Sequence, residues 1–536
     1  MLWLHYAELD ANSVQAGLRV AGDLWWDGSA GQYVVPKVEP GFAEVSAIFA
    51  GGLWMGGLDP TGNFKLAYSQ YRNTSASDYF PGPLDEQGQT TNDACANWDR
   101  HFKVNRSDIE AHIADFADNG VIDDERPSIY QWPGKDSDEF EAAAGFELPI
   151  GQSLAPFFDI DADGVYEPAD GEYPTIKGDQ AIWWVFNDAG NVHSASQGDQ
   201  LNVEVHVMAY AIISELTSMD QSTFYEYEII NKGGESIRDF RLGLWADPDL
   251  GCHLDDFLGY DASRDMVYVY NSDAEDGNIG TSCTGGVNTY GTEIPMLAVS
   301  MLSSSFDDSQ SGLMYLNNGS FGGPAATADP NNAQEAYNIL NNRWLDGTPL
   351  TAGGDGYNPG SQDTVNHVFS GDPDDLSAWS MCSEGLDGRD IRFIMTNTLP
   401  DLQSGQSISF TYLVLTTTPV ALPCPPLDQL KASFDEVKGK FDNITSTTHT
   451  ATYQTSFDVV PNPSEGHFSI VLSTPVDGSI TVCNALGSIM YTTNIQSTDG
   501  PVSLHQVTDQ PAGIYYVTVK DHLGGNVETK KVVFRN

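Results

Sequence analysis

Asp159, Asp161 and Asp163 alternate along the stretch DIDADGVYEPAD, with Gly164 and Val165 next and Asp170 at the twelfth place. Hard, flexible Ca2+ takes about six to eight oxygen ligands, and alternate carboxylates on a tight loop bring three of them to one point. Gly164 permits the sharp turn that directs the backbone carbonyl of Val165 inward. Asp170 then closes the shell, with Glu167 contributing directly or through water. The plain alternative is an acidic surface turn, but gathering three carboxylates without a cation is electrostatically costly. The expected metal site is therefore Asp159, Asp161, Asp163, the Val165 carbonyl and Asp170, with Ca2+ as the ion.

This spacing resembles the calcium loops of EF-hands and dockerin modules. It departs from them in two ways. Asp170 is shorter than the usual Glu, and Pro168, Gly171 and Pro174 argue against an exiting helix. A lone loop of this kind suits a structural clamp and not a paired sensor.

A second acidic cluster, Asp247-Pro248-Asp249-Leu250-Gly251 followed by Asp255-Asp256, lies just past an expected strand. Its spacing matches no standard metal loop, so it reads as a solvated turn or a second metal site. Catalytic signatures are lacking: there is no GxSxG elbow, HExxH, P-loop or GxGxxG. His193, His206, His253 and His367 are scattered, as structural or exposed histidines are. Trp25-Trp26 and Trp183-Trp184 offer a stacking platform for sugar rings or, more simply, core packing.

The elements that must position these residues are mainly β. Val203, Val205, Val207 and Ala209 alternate with polar neighbours; so do Tyr225, Tyr227 and Ile229, then Phe240, Leu242 and Leu244, then Ile408, Phe410, Tyr412 and Val414. A period of two between Gly and Asn turns predicts a meander or sandwich. Three helices are expected. One runs from Ser107 to Phe116, with Ser107 and Glu110 as a capping box and Ile109, Ile113 and Phe116 on one face. Another runs from Asn332 to Trp344, and a third carries Leu427, Leu430, Phe434, Val437 and Phe441 on one side. The organisation read from these signals is a Gly/Trp-rich part at 1–200 containing the calcium loop and a sandwich-like part at 201–425. An amphipathic helix at 426–441, a Thr/Ser-rich linker at 442–456 and a small sandwich at 457–536 follow.

The chain of 536 residues carries 75 acidic and 24 basic residues, a net charge of −51. Only 7 of those acids and 4 of those bases lie from Phe457 onward. Such a surface repels nucleic acid and anionic lipid and attracts divalent cations. No apolar run approaches the length of about 20 residues that a transmembrane segment needs. Six cysteines show no zinc spacing; Cys252 and Cys283, both in polar, Gly-rich stretches, could pair in an oxidising compartment, and Cys483 reads as a small core residue.

The last eighty residues carry the most specific pattern. Pro461-Asn462-Pro463-Ser464 and Gly466 open a strand in which Phe468, Ile470 and Leu472 alternate, and Asn484, Gly487, Gly513, Tyr515 and Lys531 follow in order. The tail resembles the type A C-terminal sorting domain of proteins exported by the Bacteroidota type IX secretion system. That resemblance implies an Ig-like antiparallel sandwich, recognition by the type IX machinery, and passage through the periplasm to secretion or the outer-membrane surface. Stretches such as Gly22-Asp23-Leu24-Trp25-Trp26-Asp27, Phe49-Ala50-Gly51-Gly52-Leu53-Trp54 and Ala155-Pro156-Phe157 loosely resemble the cargo portions of other such proteins. Type IX cargo first crosses the inner membrane by a signal peptide. The opening MLWLHYAELDANSV lacks the basic start and apolar stretch of one, so the expected leader lies upstream or has been removed.

The function expected is that of an exported, calcium-stabilised, non-catalytic protein that binds glycans or a surface partner. The alternative is a secreted hydrolase degrading polysaccharide through an Asp/Glu pair that the sequence does not reveal.

Overall fold

Strands from the whole length of the first 439 residues interleave in two large antiparallel sheets. The computed structural model describes residues 5–71, 77–277, 283, 288–306, 311–318, 323–446, 457–464, 468–472, 478–484, 489–495, 502–504, 511–521 and 527–535. The chain divides into two compact units, Met1–Gly439 and Lys440–Asn536.

In the first sheet Ala50–Leu58 pairs with Arg238–Asp247, which pairs with Ile391–Thr398, which pairs with Ser311–Asn317. In the second, Gln180–Asn187, Val203–Ala211, Ser222–Asn231, Ser407–Thr416 and Leu297–Ser304 are successive neighbours, and Met266–Asn271 and Asp256–Asp261 extend that edge. Strands from both sides of residue 200 therefore share both sheets. Their faces meet through aromatic residues. Trp25, beside the first sheet, donates its indole N–H to Tyr225 Oη of the second at 2.8 Å. Gly51 is required there: a Cβ at that position would lie 2.3 Å from the Trp25 ring. Removing a fully buried ring of this kind costs about 3–5 kcal/mol.

The alternation expected at Val203–Ala211 is present, but every position of that strand is buried. Its polar residues lie under a second layer and find partners there. Glu204 Oε1 lies 2.8 Å from His206 Nε2, and Glu204 Oε2 accepts from Leu84 N at 2.6 Å. Trp183, against which the His206 ring packs at 5.5 Å, closes that layer with Trp98 and Phe102.

Helix ends differ from the sequence reading in instructive ways. The first runs Arg106–Asn119, because strand Phe102–Asn105 leads straight into it, so Asn105 and not Ser107 holds the cap position. Its buried residues are Ile109 and His112, while Ile113 faces out. The second helix starts as expected: Asn332 accepts from Glu335 N, and Glu335 reaches back to Asn331 N at 2.7 Å. It spans Ala333–Leu340 and ends before Trp344, which is buried in the turn beyond. The third spans Asp428–Ser446 with Leu427, Leu430, Phe434, Val437 and Phe441 buried. It thus runs into the expected linker, whose residues 447–456 lie outside the described residues.

In the second unit a three-stranded and a four-stranded antiparallel sheet share one core. Phe457, Val459, Phe468, Ile470, Ile480, Val482, Tyr515, Val517, Val519, Val532 and Phe534 make it, taken from both sheets. This is the small sandwich that the alternation predicted. Cys483 is half-buried beside inward Val482, so the strand period turns it away from that core. The motif residues have visible work. Asn462 donates to Lys531 O at 2.8 Å and accepts from Val533 N at 3.0 Å, tying the first turn to the last strand. Tyr515 Oη donates to Pro511 O at 2.9 Å. Gly466 and Gly487 lie outside the described residues. Among the described residues no helix is long and apolar enough to cross a membrane.

Candidate functional site

The acidic loop is held by a two-residue ribbon, Phe157–Phe158 against Tyr173–Pro174, whose Phe158 and Tyr173 rings stack at 5.0 Å. Within it the carboxylates accept from the loop's own backbone. Asp159 takes Ala162 N at 2.6 Å and Gly164 N at 2.8 Å, and Asp163 takes Val165 N at 2.7 Å. Left-handed Ala162 (φ 63°) and Gly164 (φ 83°) coil the chain around them. As a result Asp159, Asp161 and Asp163 each offer an oxygen within 4.8 Å of the others. Asp170 is not part of that group. It sits exposed in the 3-10 turn Pro168–Asp170, and half-buried Val165 follows Gly164 on the loop.

Sequence reasoning missed Glu172. Its buried carboxylate accepts from Ile160 N at 2.7 Å and Glu167 N at 2.9 Å, spanning both ends of the loop. Burial, opposed by those two N–H groups and assisted by the charges of Asp159 and Asp161, pushes its carboxyl up to about 7. The signal was an acid two places past the expected closing ligand.

A second feature lies at one end of the first sheet: a cavity of about 820 Å3. Asp247 reaches it as the last residue of strand Arg238–Asp247, and Arg392 from the next strand, with Asp390 just before it. Tyr71 donates to Asp247 Oδ2 and accepts from Arg392 Nε at 2.9 Å. The guanidinium also lies 3.4 Å from Asp247 Oδ1, 3.4 Å from Asp390 Oδ1 and 3.6 Å from Asp329 Oδ2. One cation thus faces three carboxylates. Burial, only partly offset by Arg392 and reinforced by Asp390, holds the Asp247 carboxyl up at about 7. Burial and the charges of Asp247 and Asp390 push Asp249 well above the usual range. Phe49 and Tyr71 supply aromatic surface, their rings 6.0 Å apart, with Trp26 packed on both.

The second acidic cluster of the sequence is therefore no solvated turn. Asp247 and Asp249 line the cavity, while Asp255 and Asp256 are fully buried. Asp255 accepts from Gly277 N at 2.8 Å and Asp256 from Leu250 N at 3.2 Å. Asp276 accepts from Cys252 N at 2.9 Å, and left-handed Gly251 makes room for it. Cys252, Asp255 and Asp276 converge within 4.8 Å, but the Cys252 sulfur is bonded to Cys283. A second disulfide, Cys382–Cys424, carried no sequence signal.

The remaining candidates are structural. Trp25, Trp26, Trp183 and Trp184 are all buried, which leaves no stacking platform at those pairs. His193 is buried with both ring nitrogens against carbonyl oxygens, those of Leu66 at 2.6 Å and Asp188 at 2.7 Å. Of the four histidines considered, His253 lines the cavity.

No curated protein matches the sequence. Among solved structures, weak likeness extends to the heparan sulfate lyase HepC from Pedobacter heparinus (8% identity, TM-score 0.19, covering 56% of this chain and 25% of that one). A polysaccharide lyase follows at 10% identity and TM-score 0.17, covering 62% and 34%. PorZ, a surface component of the type IX secretion system of Porphyromonas gingivalis, stands at 11% and 0.15, covering 98% and 65%. The chain thus spans between 25% and 65% of the lengths of these proteins, and scores this low carry no argument about fold or activity. The tail is different: residues 458–535 match the secretion system C-terminal sorting domain family, and the chain is an exported cargo of the type IX secretion system, bound for secretion or the cell surface.

Proposed function

We propose that the region before the sorting domain is a non-catalytic, calcium-stabilised binding protein that takes a glycan in the cavity of the first sheet. The cavity itself carries this reading. At about 820 Å3 it has the size of a small-ligand site, and it combines the aromatic surface of Phe49 and Tyr71 with a few convergent polar groups. Rings stack on aromatic faces while carboxylates, Gln32 and Asn288 accept and donate to hydroxyls. Ca2+ belongs on the loop of Asp159, Asp161 and Asp163, with Asp170 and the Val165 carbonyl drawn in to complete the shell. The convergence of the three carboxylates supports that assignment.

One observation favours the hydrolase reading: Asp247 and Asp390 both line the cavity on either side of Arg392. A glycan array run in parallel with a reducing-end assay on the same oligosaccharides separates the two. Binding without new reducing ends, weakened by Tyr71→Ala, is the outcome expected. Turnover abolished by Asp247→Asn would establish the hydrolase, and the absence of any glycan binding would end both readings.

A further inference from the structure

The cavity is strongly unbalanced in charge. Among the described residues Glu44, Asp247, Asp249 and Asp390 line it, against one guanidinium, that of Arg392. That guanidinium is already engaged with Asp247, Asp390 and, outside the cavity lining, Asp329. Near Asp249 in the chain stands Asp256, fully buried, whose Oδ1 makes no hydrogen bond among the described residues and whose carboxyl is pushed well above the usual range by burial and then by the charges of Asp255 and Asp249. An excess of carboxylate in a partly desolvated site favours a ligand that brings positive charge.

The geometry selects among cations. Among the described residues, acidic side chains converge in threes within 4.8 Å at Asp159/Asp161/Asp163 and at Asp115/Asp118/Asp123, and a pair does so beside Cys252. The carboxylates of the cavity form no such group. A bare divalent ion lacks such a trio of ligands there, whereas a cation carried on a ring can span the carboxylates. Phe49 adds an aromatic face that attracts both an ammonium and the apolar side of a pyranose, beside the Tyr71 ring over which Arg392 already lies at 5.6 Å. Ser29, Gln32 and Asn288 on the lining suit its hydroxyls.

We infer that the ligand of this cavity is an amino sugar with a free ammonium, set among Asp247, Asp249 and Asp390. The inference rests on the glycan-binding reading and narrows it to one chemical class.

Calorimetric titration of the full chain tests it with a glucosamine hexamer, an N-acetylglucosamine hexamer and hexalysine. The glucosamine hexamer should bind about tenfold more tightly than its acetylated, neutral counterpart. Asp249→Asn should remove most of that preference. Glu44→Gln, at an exposed position where folding is not at stake, should reduce it in the same direction. Equal affinity for the two hexamers would overturn the cationic class while leaving glycan binding intact. Hexalysine binding as tightly as the glucosamine hexamer would make the site a basic-peptide site. Displacement of the sugar by CaCl2 alone would make it a metal site. A failure of the glucosamine hexamer to bind, with neutral glycans binding on the array, would overturn this inference and not the broader reading.

Discussion

Arg392 Nε lies 3.4 Å from Asp247 Oδ1, two nearly buried side chains on neighbouring strands of the first sheet. The pair fixes the charge of the cavity, because Asp329 and Asp390 also depend on that guanidinium. Arg392→Met keeps much of the side chain's volume and strands three carboxylates. Breaking a buried ion pair in this way costs about 3–5 kcal/mol. Urea unfolding at pH 8 should show a loss of that order, and the double variant with Asp247→Asn should recover part of it.

Ligand binding should depend on pH through Asp247. Its carboxyl is held up at about 7 by burial, facing Arg392, Tyr71, Asp390 and Asp329. The carboxylate is the form that attracts an ammonium, and it forms as pH rises through 7. Affinity for the glucosamine hexamer should therefore rise as the carboxylate forms and fall again as the sugar's own ammonium groups, more acidic than that of lysine, lose their protons, giving a maximum near neutral pH. Asp247→Asn should bind more weakly and lose the rising limb while keeping the falling one; an unchanged rising limb in that variant would move the titrating group elsewhere.

The acidic loop makes a separate prediction. Ca2+ should bind with a dissociation constant on the order of 10⁻⁴ to 10⁻³ M, since no helix pair preorganises the loop. Binding should raise the melting temperature, because the ion relieves repulsion present only in the folded arrangement. Asp161→Asn with Asp163→Asn keeps shape and removes two charges. Calorimetry should then show calcium uptake sharply reduced, and equal uptake by both proteins would place the ion elsewhere.

Much of this was legible in the sequence, for reasons that differ by site. The acidic loop was visible because its three carboxylates are local: alternate spacing and Gly164 suffice to bring Asp159, Asp161 and Asp163 together. Glu172 was not, since it acts by burial beneath the loop, a tertiary fact. The period of two revealed the strands, but it hid the burial of Glu204 and His206, which requires a second layer supplied by Trp98 and Phe102. The cavity was half visible. Asp247 and Asp249 stood out as a cluster, yet Tyr71, Asp390 and Arg392 meet them only through pairing of Arg238–Asp247 with Ala50–Leu58 and Ile391–Thr398.

Stability should also carry the mark of His367. Its ring lies on that of Tyr260 at 4.0 Å and 11°, and burial lowers its pKa to about 4. The unfolded chain takes up a proton near pH 6.5, while the folded one resists until about pH 4. Stability from this site is thus present above pH 6.5 and lost as pH falls toward 4, by at most about 3 kcal/mol. His367→Gln should remove that part of the acid sensitivity. Chemical unfolding curves at pH 7 and pH 4.5 would show it as a smaller difference between the two.

The sorting domain should fail through its core before its surface. Phe534 stacks on Tyr515 at 4.4 Å and packs on Phe468 at 5.8 Å, joining the last strand to both sheets. A domain of this size is marginally stable, and Phe534→Ala costs about 3–5 kcal/mol, enough to unfold it. Recognition of the tail as a folded sandwich predicts that the variant, given a working signal peptide in a type IX-competent host, accumulates in the periplasm. Its first unit should stay folded there, with calcium uptake intact. An exposed change just past the same strand, Arg535→Gln, leaves the core untouched and should be exported normally. Fractionation of periplasm, cell surface and medium reads all three proteins, and normal export of Phe534→Ala would show that an intact sandwich is not what the machinery reads.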